Sequence, residues 1–507
     1  MKLNKKILHQ IDHQIVAVPT DDYFELPEKV LQFGTGVLLR GLPDYFIDKA
    51  NKQQIFNGRI VVVKSTDTPG ANYFDEQDGL FTQCVRGIEN GQLIDEYHLN
   101  ASISRVLTAA TQWDSIINLA SSSVMQLIIS NTTESGLILD KEDKIQIGVP
   151  KSFPGKLLAF LYKRWQVFNG ADAAGMVILP TELIPDNGKL LLNIINQLAV
   201  INHLEDDFIQ WLNRANHFCN TLVDRIVPGK LPAQLAESAT KKIGYEDDLM
   251  IMSEPFRLWA IETNSHLVKQ LLSFSQADKG VIIADSIQQF RELKLRLLNG
   301  THSFSCALAK LAGFDTVKEA MGNHIFVDYL DALMKLEISS CLINDQISFE
   351  TAFKFAESVK ERFANPFIEH RWASISVNYT EKLRMRTIAL ILNYFEREQK
   401  VPVLMSIGFA AYLLYMHNIH FIDGKYVGNF NNSNYIVDDP KSELFGSIAA
   451  NQSMEEYVHL ILSKTSLWGS DLTLLTSFEM QINQIINTIT ETGVINLLFN
   501  QHNKAIV

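Results

Sequence analysis

Lys29-Val-Leu-Gln-Phe33-Gly-Thr-Gly36-Val-Leu-Leu-Arg40-Gly41 is the stretch on which the fold turns. Its first five residues read as a buried strand. Gly34 permits a tight turn, and Gly36 lets the backbone approach a pyrophosphate. A helix starting just beyond supplies N–H groups and a partial positive charge. The pattern G-x-G-x-x-G is incomplete, because Leu39 holds the third glycine position. Strand–turn–helix glycines also occur without a nucleotide, so the turn alone leaves both readings open.

Outward from the turn, Gly41–Lys52 reads as a helix and Arg59-Ile-Val-Val-Val-Lys64 as a second strand. Ser123–Ile129 and Gly175–Leu179 are further continuous apolar runs, as in central strands of a parallel sheet covered on both faces. Strands alternating with helices give a doubly wound α/β domain. From about Glu254 helical-period segments follow one another: Ser286–Leu311, Asp315–Glu337, Ser348–Ala364, Tyr379–Glu398 and Ser453–Leu462. The expected organisation is a dinucleotide-binding domain over 1–240 and a mainly α-helical substrate domain over 241–507. The boundary falls in the Pro-, Gly- and charge-rich stretch Pro228–Tyr245, although Val281-Ile-Ile283 could still belong to the first domain.

The 507 residues suffice for two cores, and 47% hydrophobic with 20% charged residues is the balance of a soluble globular protein. A net charge of −12 argues against a nucleic-acid partner and requires local cations to hold any anionic substrate. The longest apolar stretch, Val401–Met416, has the length of a buried helix, and its Pro402 and Gly408 disfavour a membrane span. The N-terminus has no apolar core of signal-peptide length. Cys84, Cys219, Cys306 and Cys341 are widely spaced, the usage expected of buried thiols in a reducing cytoplasm. His417-x-x-His420 and His9-x-x-x-His13 lack a third ligand nearby, so no metal is expected.

The second strand normally ends in an acid that bonds the adenosine ribose. Here it ends Lys64-Ser-Thr, with Asp67 one step later. Asp67 would serve NAD, whereas Lys64 could pair with a 2′-phosphate.

Lys294-Leu-Arg-Leu-Leu-Asn299-Gly-Thr-His302-Ser303 carries the chemistry. On an α-helix, Lys294, Asn299 and His302 fall within an arc of about 140°. Leu293, Leu295, Leu297 and Leu298 cover the remaining surface, so the helix is expected to be buried and the lysine desolvated, lowering its pKa towards that of a general base. Lysine can then take a hydroxyl proton while an asparagine amide and a histidine hold the oxygen. A purely structural alternative has Lys294 snorkelling, Asn299 capping and His302 bonding a carbonyl.

Lys-x4-Asn-x2-His in this setting closely resembles the signature of the mannitol dehydrogenase family. The likeness covers most of the chain: Gln32–Gly36 with Arg40, Val223-Asp224-Arg225-Ile226-Val227-Pro228 and Glu254-Pro-Phe-Arg257-Leu-Trp259 resemble further family blocks in the same order. The resemblance implies an N-terminal Rossmann-type domain, a helical C-terminal domain and metal-independent, NAD-dependent hydride transfer. It makes Lys294 the general base, with Asn299 and His302 positioning the substrate oxygen. The cofactor residues it implies are Phe33, Gly34, Thr35, Gly36, Arg40, Asp67, Asn131, Thr132 and Glu134.

Ser130–Gly136, Pro180–Ile184, Asn365–Ile368 and Arg371–Asn378 resemble the branch of the family that handles uronate-derived sugar acids. Leu183 stands where the mannitol enzymes carry an asparagine, which disfavours mannitol. A sugar acid brings a carboxylate, and the densest basic cluster of the helical half is Lys382, Arg384 and Arg386 with Arg371 upstream. Lys382 and Arg386 are the expected carboxylate ligands, the alternative being a solvated basic face. Glu182 and Asp224 are further candidates for the substrate; a turn role for Glu182, and an Asp224–Arg225 ion pair, are the plainer readings. A nucleotide or sugar-acid sensor with this fold is the rival from another class, and a sensor has no need of Lys294.

Overall fold

The computed structural model describes residues 1–65, 71–132, 136–431 and 433–505. Its contacts divide the chain into two compact units, Met1–Arg86 with Leu93–Ile287, and Gly87–Gln92 with Gln288–Val507.

In the first unit the strands run β1 (Glu28–Phe33), β2 (Arg59–Lys64), β3 (Phe81–Glu89), β4 (Gln92–Asn100), β5 (Ile103–Thr108), β6 (Leu127–Ser130), β7 (Val177–Pro180) and β8 (His217–Phe218). Six of them form one sheet in the order β5-β2-β1-β6-β7-β8, parallel throughout. That is the doubly wound order, with the chain reversing direction across the sheet between β1 and β6. Every residue of β2, β6 and β7 is buried, which explains why these strands read as apolar runs without alternation. Alternation persists in three dimensions. Leu31, Phe33, Val61, Val63 and Ile128 pack on the face covered by helices Phe153–Val167, Asn187–Ile201 and Asp206–Ala215. Val30, Ile60, Val62, Leu127 and Ile129 pack on the other, with Phe46 and Ile47 of helix Pro43–Lys52.

The expected helix Gly41–Lys52 is in fact two, Val37–Gly41 and Pro43–Lys52. Leu42 between them leaves the helical region, as the residue before a proline tends to. Residues 241–287, expected with the helical half, pack in the first unit. There β9 (Thr221–Asp224) pairs antiparallel with β11 (Leu258–Glu262), which pairs parallel with β12 (Val281–Ala284). The strand β10 (Ile251–Ser253) joins β3. These strands are short, and three-residue runs are hard to see in a sequence.

The second unit is helical apart from one small antiparallel sheet, Ile419–Ile422, Lys425–Phe430 and Ser433–Val437. Its centre is the helix Val403–His417, buried from Met405 to Met416, as the apolar stretch suggested. Gly408 lets it approach Thr301–Leu311: a Cβ there would lie 2.5 Å from the Phe304 carbonyl oxygen. Among the described residues no helix is long and apolar enough to cross a membrane.

Arg164, buried on helix Phe153–Val167, fixes the loops that lead into β6 and β7. Its guanidinium donates to the carbonyls of Ala174 (2.6 Å), Ala120 (3.2 Å), Ser122 (2.8 Å) and Met125 (3.0 Å). Burial pulls its pKa down to about 10, still charged at neutral pH. Arg164→Leu leaves these carbonyls without donors and is expected to destabilise the protein by about 2–4 kcal/mol. Arg164→Lys is expected to recover little, since one ammonium cannot span the fork. Urea denaturation measures both, and a midpoint unchanged by Arg164→Leu would contradict this account.

Candidate active site

At the end of β1 the amide of Gly34 donates to the Val63 carbonyl and that of Asn131 to the Phe33 carbonyl, closing the switch point between β2, β1 and β6. Gly34 has φ +123°, and a Cβ there would lie 3.0 Å from Leu39 Cδ1 and 3.1 Å from the Asn131 carbonyl oxygen. Gly36 is exposed, with nothing within 4 Å of where its Cβ would point. The backbone is therefore kinked where only glycine fits and bare where a pyrophosphate would approach, and the helix Val37–Gly41 begins immediately after. Phe33 is buried and Thr35 half-buried beside this turn.

The neighbouring strand ends are stitched together by side chains. Asn131 Nδ2 donates to the Thr181 carbonyl and hydroxyl, both at 3.0 Å. The Glu182 carboxylate turns inward and accepts from the Thr132 amide (2.9 Å), the Thr132 hydroxyl (3.2 Å) and the Ser130 hydroxyl (3.2 Å). Burial pushes its pKa up against these bonds. Glu182 thus shapes the turn that holds Asn131 and Thr132. Asn187, which sequence reasoning passed over, is wholly buried and donates to the carbonyls of Pro180, Glu182 and Thr221. Asp67 and Glu134 lie outside the described residues.

Arg40 departs from the expectation that it meets the cofactor. It is buried, donates to the Leu249 carbonyl at 2.6 Å and lies over the Phe74 and Phe81 rings, because its helix turns that face into the core. Asp224 is buried on β9. Beside it Arg225 donates to the carbonyls of Glu254 (2.9 Å) and Gly41 (2.7 Å) and stacks over Tyr45 at 4.5 Å.

In the second unit Lys294 opens a π-helical segment, Lys294–Gly300, set between α-helices Gln288–Leu293 and Thr301–Leu311. A π-turn closes on the fifth residue, so Lys294 and Asn299 come closer into line than the 140° or so of an α-helix would allow. Apolar periodicity does not distinguish the two helix types, and the sequence reading missed it. Lys294 and Asn299 are half-buried, less enclosed than the surrounding leucines suggested. Arg296, also unforeseen, donates to the carbonyls of Met385 (2.8 Å) and Arg386 (3.0 Å) and pins this segment to helix Tyr379–Glu398.

His302 is buried, stacked on Phe363 with ring centroids 4.2 Å apart, and edge-on to His370 at 5.2 Å. Its Nε2 has no hydrogen-bond partner among the described residues. Burial, reinforced by the adjacent His370 ring and by the charges of Arg386, Arg362 and Lys382, holds its pKa well below the ordinary histidine range. It is therefore a neutral ring at physiological pH, aimed from a nest of cations. Arg386 Nη1 donates to the Ser303 hydroxyl (3.3 Å) and Lys382 Nζ to the Ile375 carbonyl (3.1 Å). The other members of the predicted cluster turn outward, Arg384 to Glu381 and Arg371 to Glu369. Among the described residues no group of three or more His, Cys, Asp or Glu side chains is arranged to hold a metal.

The glycine turn on a doubly wound sheet has the form of a dinucleotide-binding unit, and the helical unit carries a lysine, an amide and a neutral imidazole on one helical stretch, the residue types a dehydrogenase uses. The chain belongs to the mannitol dehydrogenase family: the model of the mannitol dehydrogenase Rossmann domain matches residues 28–272, and that of the mannitol dehydrogenase C-terminal domain matches 286–490. It is 36% identical over 485 residues to altronate oxidoreductase of Halalkalibacterium halodurans, covering 93% of this chain and 92% of that one. With altronate oxidoreductase of Bacillus subtilis the identity is 34% over 477 residues, covering 94% and 95%. The fold matches substrate-free D-sorbitol dehydrogenase with a TM-score of 0.76 at 17% identity, over 98% of this chain and 99% of that one. Pseudomonas fluorescens mannitol 2-dehydrogenase, solved with NAD and D-mannitol, gives a TM-score of 0.68 at 21% identity, over 99% and 100%.

Gly34→Ala forces a Cβ onto the Asn131 carbonyl in a left-handed backbone, a strain of about 1–3 kcal/mol. It is expected to weaken dinucleotide binding about tenfold or more, read by quenching of protein fluorescence on titration with the reduced dinucleotide. Unchanged affinity would mean that the turn does not hold the dinucleotide.

Proposed function

We propose that this chain is an NAD-dependent altronate oxidoreductase, interconverting altronate and tagaturonate in the cytoplasm during hexuronate breakdown. One observation carries the reading: the helical unit gathers Arg362, Lys382 and Arg386 around the buried His302, a concentration of positive charge suited to a sugar acid. Near full-length similarity to altronate oxidoreductases supports it.

Bound NAD would supply the hydride acceptor in the oxidising direction and the hydride donor in the reducing one. The bare backbone at Gly34–Gly36 and the side chains of Asn131 and Thr132 would hold it. Lys294 takes the hydroxyl proton as the C–H bond breaks. The Asn299 amide and an N–H of neutral His302 hold the oxygen while it carries negative charge. Because its neighbours keep His302 from becoming protonated, it orients the oxygen and leaves proton transfer to Lys294. Lys382 and Arg386 receive the carboxylate, and Asp224 orients substrate hydroxyls. Glu182 acts on the cofactor side by holding the Thr132 turn.

Oxidation of NADH should be fast with tagaturonate and slow with fructose, and NADPH should substitute poorly. Preference for fructose would overturn the assignment. Lys294→Ala is expected to lower kcat by about 10²–10⁴. Activity is expected to survive EDTA, and its loss there would put a metal in the mechanism.

A further inference from the structure

We infer that His370 is a contact for the substrate's carboxylate and a determinant of selectivity for acid over neutral sugars; this rests on the function proposed above. His370 stands just ahead of the short helix Trp372–Ile375, and its carbonyl accepts the Val317 amide at 2.9 Å, which fixes its backbone. The ring meets His302 nearly at right angles, 79°, with centroids 5.2 Å apart. Unlike His302 it is only half-buried, so a ligand reaching the cluster reaches it as well.

Neither ring nitrogen of His370 bonds to protein among the described residues. The neighbouring His302 Nε2, in a side chain more than nine-tenths buried, is likewise without a partner. A buried imidazole whose Nε2 lacks a partner, with a half-buried imidazole beside it and the charges of Lys382 and Arg386 close by, is what an anion with several lone pairs would complete. The acids closest in sequence do not serve: Glu369 pairs with Arg371, and Glu381 with Arg384. Burial and the charge of Lys382 lower the His370 pKa, which favours its neutral, N–H-donating form. The roles then divide by burial. His302, enclosed and beside the lysine segment, serves the reacting oxygen, and His370, nearer solvent, serves the charged end. A hydroxymethyl group in place of the carboxylate would gain little from His370, because it offers no charge.

The test is steady-state kinetics with NADH on the wild type, His370→Phe, His370→Gln and His370→Glu. His370→Phe keeps a ring without a donor and should raise KM for tagaturonate about tenfold or more, with kcat within about threefold and KM for NADH unchanged. His370→Gln retains an N–H and should stay within about threefold of wild type. His370→Glu should raise KM further than Phe. KM does not depend on the active fraction, so partial misfolding leaves the reading intact, and Glu carries the test if Phe does not fold. Unchanged KM in both, or a fall in kcat with KM unmoved, would overturn the assignment of His370. Absence of tagaturonate turnover by the wild type would instead overturn the proposed function itself.

Discussion

Crowding like charges around a buried group costs free energy, and the helical unit is organised about that cost. Arg362, Lys382 and Arg386 crowd about the neutral His302 within a low-dielectric setting. Such a cluster holds together only if its scaffold is over-determined. The buried Tyr379 hydroxyl donates to the Ser303 carbonyl at 2.6 Å and accepts the Ala307 amide at 3.0 Å. Trp372 Nε1 donates to the Thr316 carbonyl at 3.0 Å, fixing the far wall. On the function proposed above, an arriving carboxylate would relieve the repulsion among these cations, so part of substrate affinity would be stored in the folded protein beforehand.

The two units solve recognition differently. The first presents backbone: its glycine turn is open, while the nearby guanidinium groups of Arg40 and Arg225 bond carbonyls at Leu249, Gly41 and Glu254. The second presents side chains on rigid helices. A backbone cradle suits a ligand recognised by its pyrophosphate, and a side-chain nest suits one told apart by a single charged group.

Legibility in the sequence followed the range of the interactions. Arg59–Lys64 and Tyr379–Glu398 were readable to the residue, because a continuous β-branched run and a long amphipathic period are local signals. Lys294, Asn299 and His302 were legible as residue types closely spaced along one helical stretch, which the structure keeps continuous. Arg40 misled because the sequence places it beside the turn without saying which way its helix faces. His370 and Arg362 were invisible because only tertiary packing brings them to His302. The short strands β10 and β11 escaped for the same reason, since they exist through pairing with β3 and β9, whereas the apolar run that forms β12 stood out as a possible part of the first domain.

The π-segment also changes what residue numbering means. A helix that takes in one extra residue can hold it as a widened turn and keep both flanks in register. Lys294 and Asn299, five apart, then stand much as residues four apart do on an ordinary helix. Among relatives, a one-residue gap in this stretch would mark a change of helix type with the same groups still on one face of the helix. Counting positions from the lysine is therefore a poor guide to kinship here, and counting turns a better one.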